Sequence, residues 1–115
     1  MHLLIVDDNA FQRRMLGRLL RDLGHEVEEA PGGSEALQTC RQRRPEVVFS
    51  DLLMPGMDGF ALVERLGLEQ PGLPIFVLSA DIQDSSRKRA LDLGARGFIN
   101  KPATSASLAA VLAAL

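Results

Sequence analysis

Five reactive polar residues stand at the ends of four short apolar runs. Asp7 and Asp8 follow Leu3–Val6, Asp51 follows Val47–Ser50, Ser79 follows Ile75–Leu78 and Lys101 follows Gly97–Asn100. Each run reads as a β-strand. If the strands lie parallel in one sheet, all five side chains meet at its carboxyl edge, where open α/β sheets bind ligands beside a topological switch point. Three crowded carboxylates repel one another unless a divalent cation neutralises them. A hydroxyl and an ammonium beside that cation are what a phosphoryl group requires. These residue types point to metal-dependent acceptance of a phosphoryl group.

Taken singly, most of these residues have simpler readings. Asp8 could cap a helix, Ser79 could form a turn, and Lys101 could be a surface lysine. Asp51 is harder to dismiss, because a carboxylate ending a buried central strand is costly without a partner.

Composition narrows the field. At 115 residues the chain is one domain, residues 1–115, large enough to bury a core without disulfides or structural metal. A net charge of −2 provides no basic field for nucleic acid, and the absence of Trp and Tyr removes the usual stacking platforms. Arg13, Arg14, Arg18 and Arg21, then Arg41, Arg43 and Arg44, then Arg87, Lys88 and Arg89 are spread over three predicted helices and read as solvated faces. The lone Cys40 excludes a disulfide framework and reads as a small core residue. No apolar run reaches transmembrane length, and Met1 begins almost directly on a strand, so a cytoplasmic location is the expectation.

Hydrophobic periodicity alternates between strand and helix patterns along the whole chain, the mark of repeated β–α units and a parallel sheet. Strands are expected at residues 2–6, 26–29, 47–50, 75–78 and 97–100. The first helix carries Phe11, Met15, Leu16, Leu19, Leu20 and Leu23 as an inward stripe and stops at Gly24. Ser34 is the expected cap of the second helix and Asp58 of the third, which places Phe60, Val63 and Leu66 inward before a turn region over 67–74. A fourth helix is expected over 83–93. A fifth follows Lys101-Pro102, with Leu108, Val111, Leu112 and Leu115 on one face.

With the elements in place, the resemblance becomes specific. The chain is similar to the receiver domains of bacterial two-component response regulators, most of all the single-domain chemotaxis regulators. The matching residues are Asp7-Asp8, Asp51, Met54-Pro55-Gly56-Met57-Asp58-Gly59, Ser79-Ala80, Gly94-Ala95, Gly97-Phe98 and Lys101-Pro102, in that order. The resemblance implies a flavodoxin-like (βα)5 fold, a doubly wound parallel five-stranded sheet of order 2-1-3-4-5. It implies that Asp51 accepts the phosphoryl group from a histidine kinase, a phosphotransfer protein or a small phosphodonor. It implies Mg²⁺, with Mn²⁺ as a substitute, held by Asp8, Asp51 and the backbone carbonyl of Leu53, with Asp7 holding the surrounding ligands or waters. Lys101 and Ser79 would contact phosphoryl oxygens. Such a domain acts on itself only and is not an enzyme for other substrates.

The resemblance also implies an output. Ser79 moves toward the phosphoryl group, Phe98 turns into the vacated space, and the helix 4–strand 5–helix 5 face changes its affinity for a target protein or a second copy in a phosphorylation-dependent dimer. Phe98 as a permanent core residue is the simpler alternative. Two positions depart from common practice: Leu53 is apolar and Asp81 acidic where the family lines the path of the hydrolytic water. Leu53 cannot orient that water, so slow dephosphorylation and a separate phosphatase are expected. Helix five bears a run of alanines, either a partner surface or simply good helix formers. A flavodoxin is disfavoured, because Asp7-Asp8-Asn9 would repel a flavin phosphate. An aspartyl-phosphate hydrolase would want a carboxylate where Leu53 stands. Starting at Met1 favours a stand-alone regulator over the receiver module of a hybrid kinase, and a constitutive, unphosphorylated binding platform is the remaining alternative.

Overall fold

A computed structural model describes residues 1–81 and 83–115. The elements are β1 (His2–Val6), α1 (Ala10–Asp22), β2 (Glu26–Ala30), α2 (Gly33–Gln42), β3 (Val47–Asp51), α3 (Gly59–Glu69), β4 (Ile75–Ser79), α4 (Asp84–Asp92), β5 (Gly97–Asn100) and α5 (Ser105–Ala113). All neighbouring strands pair in parallel, in the order β2-β1-β3-β4-β5. The chain reverses its direction of travel across the sheet between β1 and β3. The carboxyl ends of those two strands therefore flank a crevice, and Val6 lies in register with Ser50.

The central strands are apolar except at their ends because both faces are covered. Leu4, Val6, Val48, Ile75 and Val77 pack on the side of α2, α3 and α4. Leu3, Ile5, Val47, Phe49, Phe76 and Leu78 face the opposite side, with α1 and α5. Phe49 and Phe76 stack at 5.5 Å between ring centroids. The edge strand β2 reads Glu-Val-Glu-Glu-Ala, and its carboxylates discourage pairing with another chain.

Local chemistry starts and stops the helices. Asn9 caps α1, its side chain accepting from the Gln12 N–H, and Gly24 at φ +94° ends it. Asp8 is therefore free of capping duty. Asp58 caps α3 as its sequence suggests, through the Ala61 N–H. Ser34 does not cap α2: Gly32 holds that position without a side-chain bond, and Ser34 lies inside the first turn. Helix α3 runs through to Glu69, past the expected turn at Gly67, because a single exposed glycine costs a helix only about 1 kcal/mol.

Helix α1 departs most from expectation. Leu20 is fully buried and Leu16 and Leu19 partly so, but Phe11 is 73% and Met15 50% exposed. Gly17 lies buried near Ile5, which brings the middle of α1 close to the sheet. Facing Phe11 and Met15 are Pro102 and Ala103, whose small side chains leave a cleft beside them. Arg13 is also misread as solvated: its side chain is largely covered and donates to the Asp7 carbonyl at 2.7 Å. The other pairs Arg41–Glu69 and Arg43–Glu26 are surface contacts of small energetic weight. Cys40 is buried as expected, and burial pushes its thiol up to about 11.

Candidate functional site

The crevice at the switch point gathers the acidic residues. Asp7 and Asp8 leave the end of β1, and Asp51 is the last residue of β3. One carboxylate oxygen from each lies within 4.8 Å of the others. Lys101, just past β5, reaches across β4 to join them. Its Nζ stands 2.8 Å from Asp51 Oδ1 and 3.9 Å from Asp7 Oδ2. The Lys101 N–H donates to the Ser79 carbonyl at 2.8 Å, anchoring the β5 end to β4. The Lys101–Pro102 peptide that follows is cis.

Electrostatically the cluster is short of positive charge. Burial raises the Asp7 carboxyl above its ordinary value, and the Asp51 and Asp8 charges add to this. The Asn9 N–H, donating to Asp7 Oδ1 at 2.9 Å, and the Lys101 ammonium pull the other way without cancelling it. One lysine against three carboxylates leaves a site suited to a hard cation with oxygen ligands, such as Mg²⁺. The donor set fits that ion: all three groups are carboxylates, and no His or Cys joins them among the described residues.

Ser79 ends β4 in a buried position, one residue beyond the partner of Asp51 in the β3–β4 register. Its Oγ accepts the Asp81 N–H at 2.9 Å. Asp81 does not point into the crevice as a free carboxylate. It accepts from the Gln83 N–H at 2.9 Å and from Ser86 Oγ at 2.5 Å, which together hold its pKa below the ordinary value. Leu53 lies on the loop after β3 and is 74% exposed. Phe98 sits mid-strand opposite Val77, half-buried against the core on the α3 and α4 side. Asp7, Asp8, Asp51 and Lys101 thus converge as their strand-end positions suggest, while Asp81 belongs to the start of α4.

Two residues of α1 that sequence reasoning passed over belong to this edge. Gln12 Oε1 accepts from Lys101 Nζ at 3.0 Å, across 89 residues of sequence. Arg13 bridges the Asp7 carbonyl and Glu29 of β2, the latter at 3.3 Å, and so ties down the loop that carries Asp7 and Asp8. Neither has a local signal, since a polar residue in a first helical turn is ordinarily solvated. Asn9, by contrast, was readable as a cap directly before the helical pattern.

A doubly wound sheet with this acidic crevice and converging lysine defines the response-regulator class of fold and site. The chain belongs to that family: residues 3–113 match the response regulator receiver domain. The Vibrio cholerae chemotaxis protein CheY4 superposes with a TM-score of 0.92 at 32% identity, over 98% of this chain and 96% of that one. A protein-glutamate methylesterase/protein-glutamine glutaminase of Syntrophomonas wolfei is 38% identical over 109 residues, 91% of this chain and 31% of that protein. The Escherichia coli sensor protein EvgS is 36% identical over 102 residues, 89% of this chain and 8% of that protein. Across such curated relatives the chain spans between 8% and 42% of their length. The chain is thus a receiver domain of the two-component type, with the flavodoxin-like order 2-1-3-4-5.

Proposed function

We propose that Asp51 is the phosphoacceptor and that residues 1–115 act as one regulatory unit. The observation that carries this reading is the 2.8 Å contact between Lys101 Nζ and Asp51 Oδ1 inside a cluster of three carboxylates. In the transfer, an Asp51 oxygen forms a bond to phosphorus as the bond from phosphorus to a donor imidazole or acyl oxygen breaks. Transfer of this kind depends on in-line positioning and charge neutralisation more than on covalent help from the protein. Asp8, Asp51 and the Leu53 carbonyl would hold Mg²⁺, or Mn²⁺ in its place, with Asp7 holding the ligands around it. When bound, the cation neutralises charge on the carboxylates and on the incoming phosphoryl oxygens. Lys101 would shift from Asp51 to a phosphoryl oxygen, and Ser79 would donate to another.

The output follows from what Ser79 holds. To donate to a phosphoryl oxygen its hydroxyl turns toward Asp51, and the Asp81 N–H loses its acceptor. Phe98, half-buried and without a hydroxyl, takes up the space that opens, and the α4–β5–α5 face changes its affinity for a partner. The shift is limited by the difference in phosphoryl affinity between the two arrangements. The partners are a histidine kinase or phosphotransfer protein, a target protein or second copy, and a phosphatase. The domain acts in the cytoplasm, in keeping with the lack of any helix long and apolar enough to cross a membrane among the described residues. It turns over its own acyl phosphate and no other substrate.

Intact-protein mass after incubation with acetyl phosphate and Mg²⁺, beside an Asp51→Asn variant, tests the reading. A hydroxylamine-labile phosphoryl adduct on the parent alone is the expected result. A folded parent that takes up no phosphoryl group would replace this reading with a constitutive binding platform.

A further inference from the structure

A cleft of about 500 Å³ opens directly off the acidic crevice and runs between α1 and the segment that follows β5. Its mouth holds Asp51, Asp7 and Lys101. Beyond the mouth almost everything is apolar. Phe11, Met15 and Leu19, spaced four residues apart, line one wall, and Pro102 and Ala103 the other. Leu78 contributes to the floor. Three positions at that spacing extend about 12 Å along α1. The volume falls within the ordinary range for small-molecule sites, roughly 300–1,000 Å³. Phe11 and Met15 are exposed to this cleft although both sit on the stripe that faces inward in an amphipathic helix.

A mouth that offers the Lys101 ammonium beside carboxylates suited to a divalent cation, and that opens into an apolar trough, matches a phosphodonor with an apolar tail once that cation is bound. We propose that this cleft binds the acyl chain of an acyl phosphate, so that the domain prefers small phosphodonors with apolar tails over acetyl phosphate. The inference rests on Asp51 being the phosphoacceptor. The phosphoryl group sits at Lys101 and the carboxylates, and the acyl chain lies along Phe11 and Met15. An Asp51 oxygen forms the new bond to phosphorus, and the bond between phosphorus and the acyl oxygen breaks. The electron pair leaves with the carboxylate product, and no proton or redox partner is required. Chain contacts made before and during transfer raise the second-order rate constant through binding of the donor.

Phosphorylation rates of the Mg²⁺-loaded protein with acetyl, propionyl and butyryl phosphate test this, read by intact-protein mass. Full burial of a methylene corresponds to about fourfold in binding, and the open cleft reduces that to roughly twofold per methylene. Butyryl phosphate should therefore react about fourfold faster than acetyl phosphate, with propionyl phosphate between them. In a Phe11→Ser/Met15→Gln double variant the butyryl-to-acetyl ratio should fall close to one. Both side chains are largely exposed, so the fold is not at stake. Adduct formation with a ratio near one in the parent would overturn the chain-binding inference while leaving Asp51 as acceptor. A ratio that persists in the double variant would overturn it too, by placing the selectivity elsewhere. No adduct with any of the three donors would overturn both readings.

Discussion

The Asp81 N–H donates to Ser79 Oγ at 2.9 Å, so the oxygen at the end of β4 is joined to the segment that leads into α4. Asp81 passes the connection on. Its carboxylate accepts from the Gln83 N–H and from Ser86 Oγ, and these belong to the cap and first turn of α4. Three hydrogen bonds through Asp81 thus join the end of β4 to the start of α4.

Asp81→Ala should speed amide exchange at residues 83–87 several-fold while leaving the central strands protected, because the first turn of α4 loses the carboxylate that accepts from Gln83 and Ser86. Asp81→Asn, which keeps an acceptor oxygen, should have a smaller effect. The folded pKa of Asp81 lies below 3.8, so its contribution is complete above that pH and lost only as acid carries the pH through the depressed value. Hydrogen exchange read by mass spectrometry checks this; equal exchange in parent and Ala variant would show that Asp81 does not hold the start of α4.

Asp7→Asn should stabilise the protein in the presence of a chelator by about 1–2 kcal/mol, since a neutral amide relieves repulsion with Asp51 and Asp8 in a buried place. An Asn side chain can still accept the Asn9 N–H. The same variant should gain less than the parent when Mg²⁺ is added, because the cation then has less charge to neutralise. Urea unfolding at neutral pH, with chelator and with Mg²⁺, separates the two effects. A variant less stable than the parent in chelator would mean that the Asp7 charge is balanced better than its surroundings suggest.

Much of the site was legible because strand ends are legible. An apolar run that stops on a carboxylate, a hydroxyl or an ammonium places that group at a sheet edge, and parallel β–α units put all such edges on one side. The unread parts are long-range contacts. Gln12 meets Lys101, and Arg13 meets Glu29, only because the β1–α1 loop folds α1 back over β2 and the β5 end. The inward stripe of α1 failed at Phe11 and Met15 for a similar reason: periodicity names a face, but the small residues opposite decide how far that face is covered. The extra half-turn of α3 beyond Gly67 reflects tertiary packing at Leu66 overriding a weak local breaker.

Leu53→Asn should shorten the lifetime of the acyl phosphate by roughly 3- to 10-fold, the effect of one oriented hydrogen bond worth about 1 kcal/mol in the transition state. Leu53 is 74% exposed, so the substitution leaves packing untouched. Asp81, engaged at the start of α4, gives no compensating polar group. Loss of phosphate after removal of the donor, followed by mass, measures the lifetime. An unchanged lifetime would show that the apolar side chain is not what limits hydrolysis.

Gly59→Ala should cost about 1–3 kcal/mol, because the added Cβ would stand 2.6 Å from the Asp51 carbonyl oxygen and 2.8 Å from Leu52 Cα. Both neighbours are backbone and cannot swing aside. The Gly59 N–H also donates to the Leu52 carbonyl at 2.8 Å, so relief of the clash moves the loop that carries Leu53. Reduced urea stability together with slower phosphorylation is expected. Gly67→Ala, where an added Cβ meets nothing, should leave phosphorylation unchanged and raise urea stability by about 0.5–1 kcal/mol, because a glycine inside α3 is replaced by the best helix former.

Cys40 supplies a pH dependence whose sign is fixed by burial. Its thiol is raised from 9.0 to about 11 in the folded protein, chiefly because the interior disfavours the thiolate. A group whose folded pKa is raised contributes stability that is complete below its unfolded value and lost as pH rises through the folded one. The parent should therefore lose stability between about pH 9 and 11. Cys40→Ala should begin about 1 kcal/mol lower, for the small cavity it leaves, and should decline less steeply over that interval. All other ionisable groups are common to both proteins and cancel in the difference. Urea midpoints at intervals across the range give the two slopes. Parallel slopes would mean that Cys40 ionises in the folded protein as easily as in the unfolded chain, and that its place against Leu37 and the α2 side of the sheet is less dry than its 2% exposure implies.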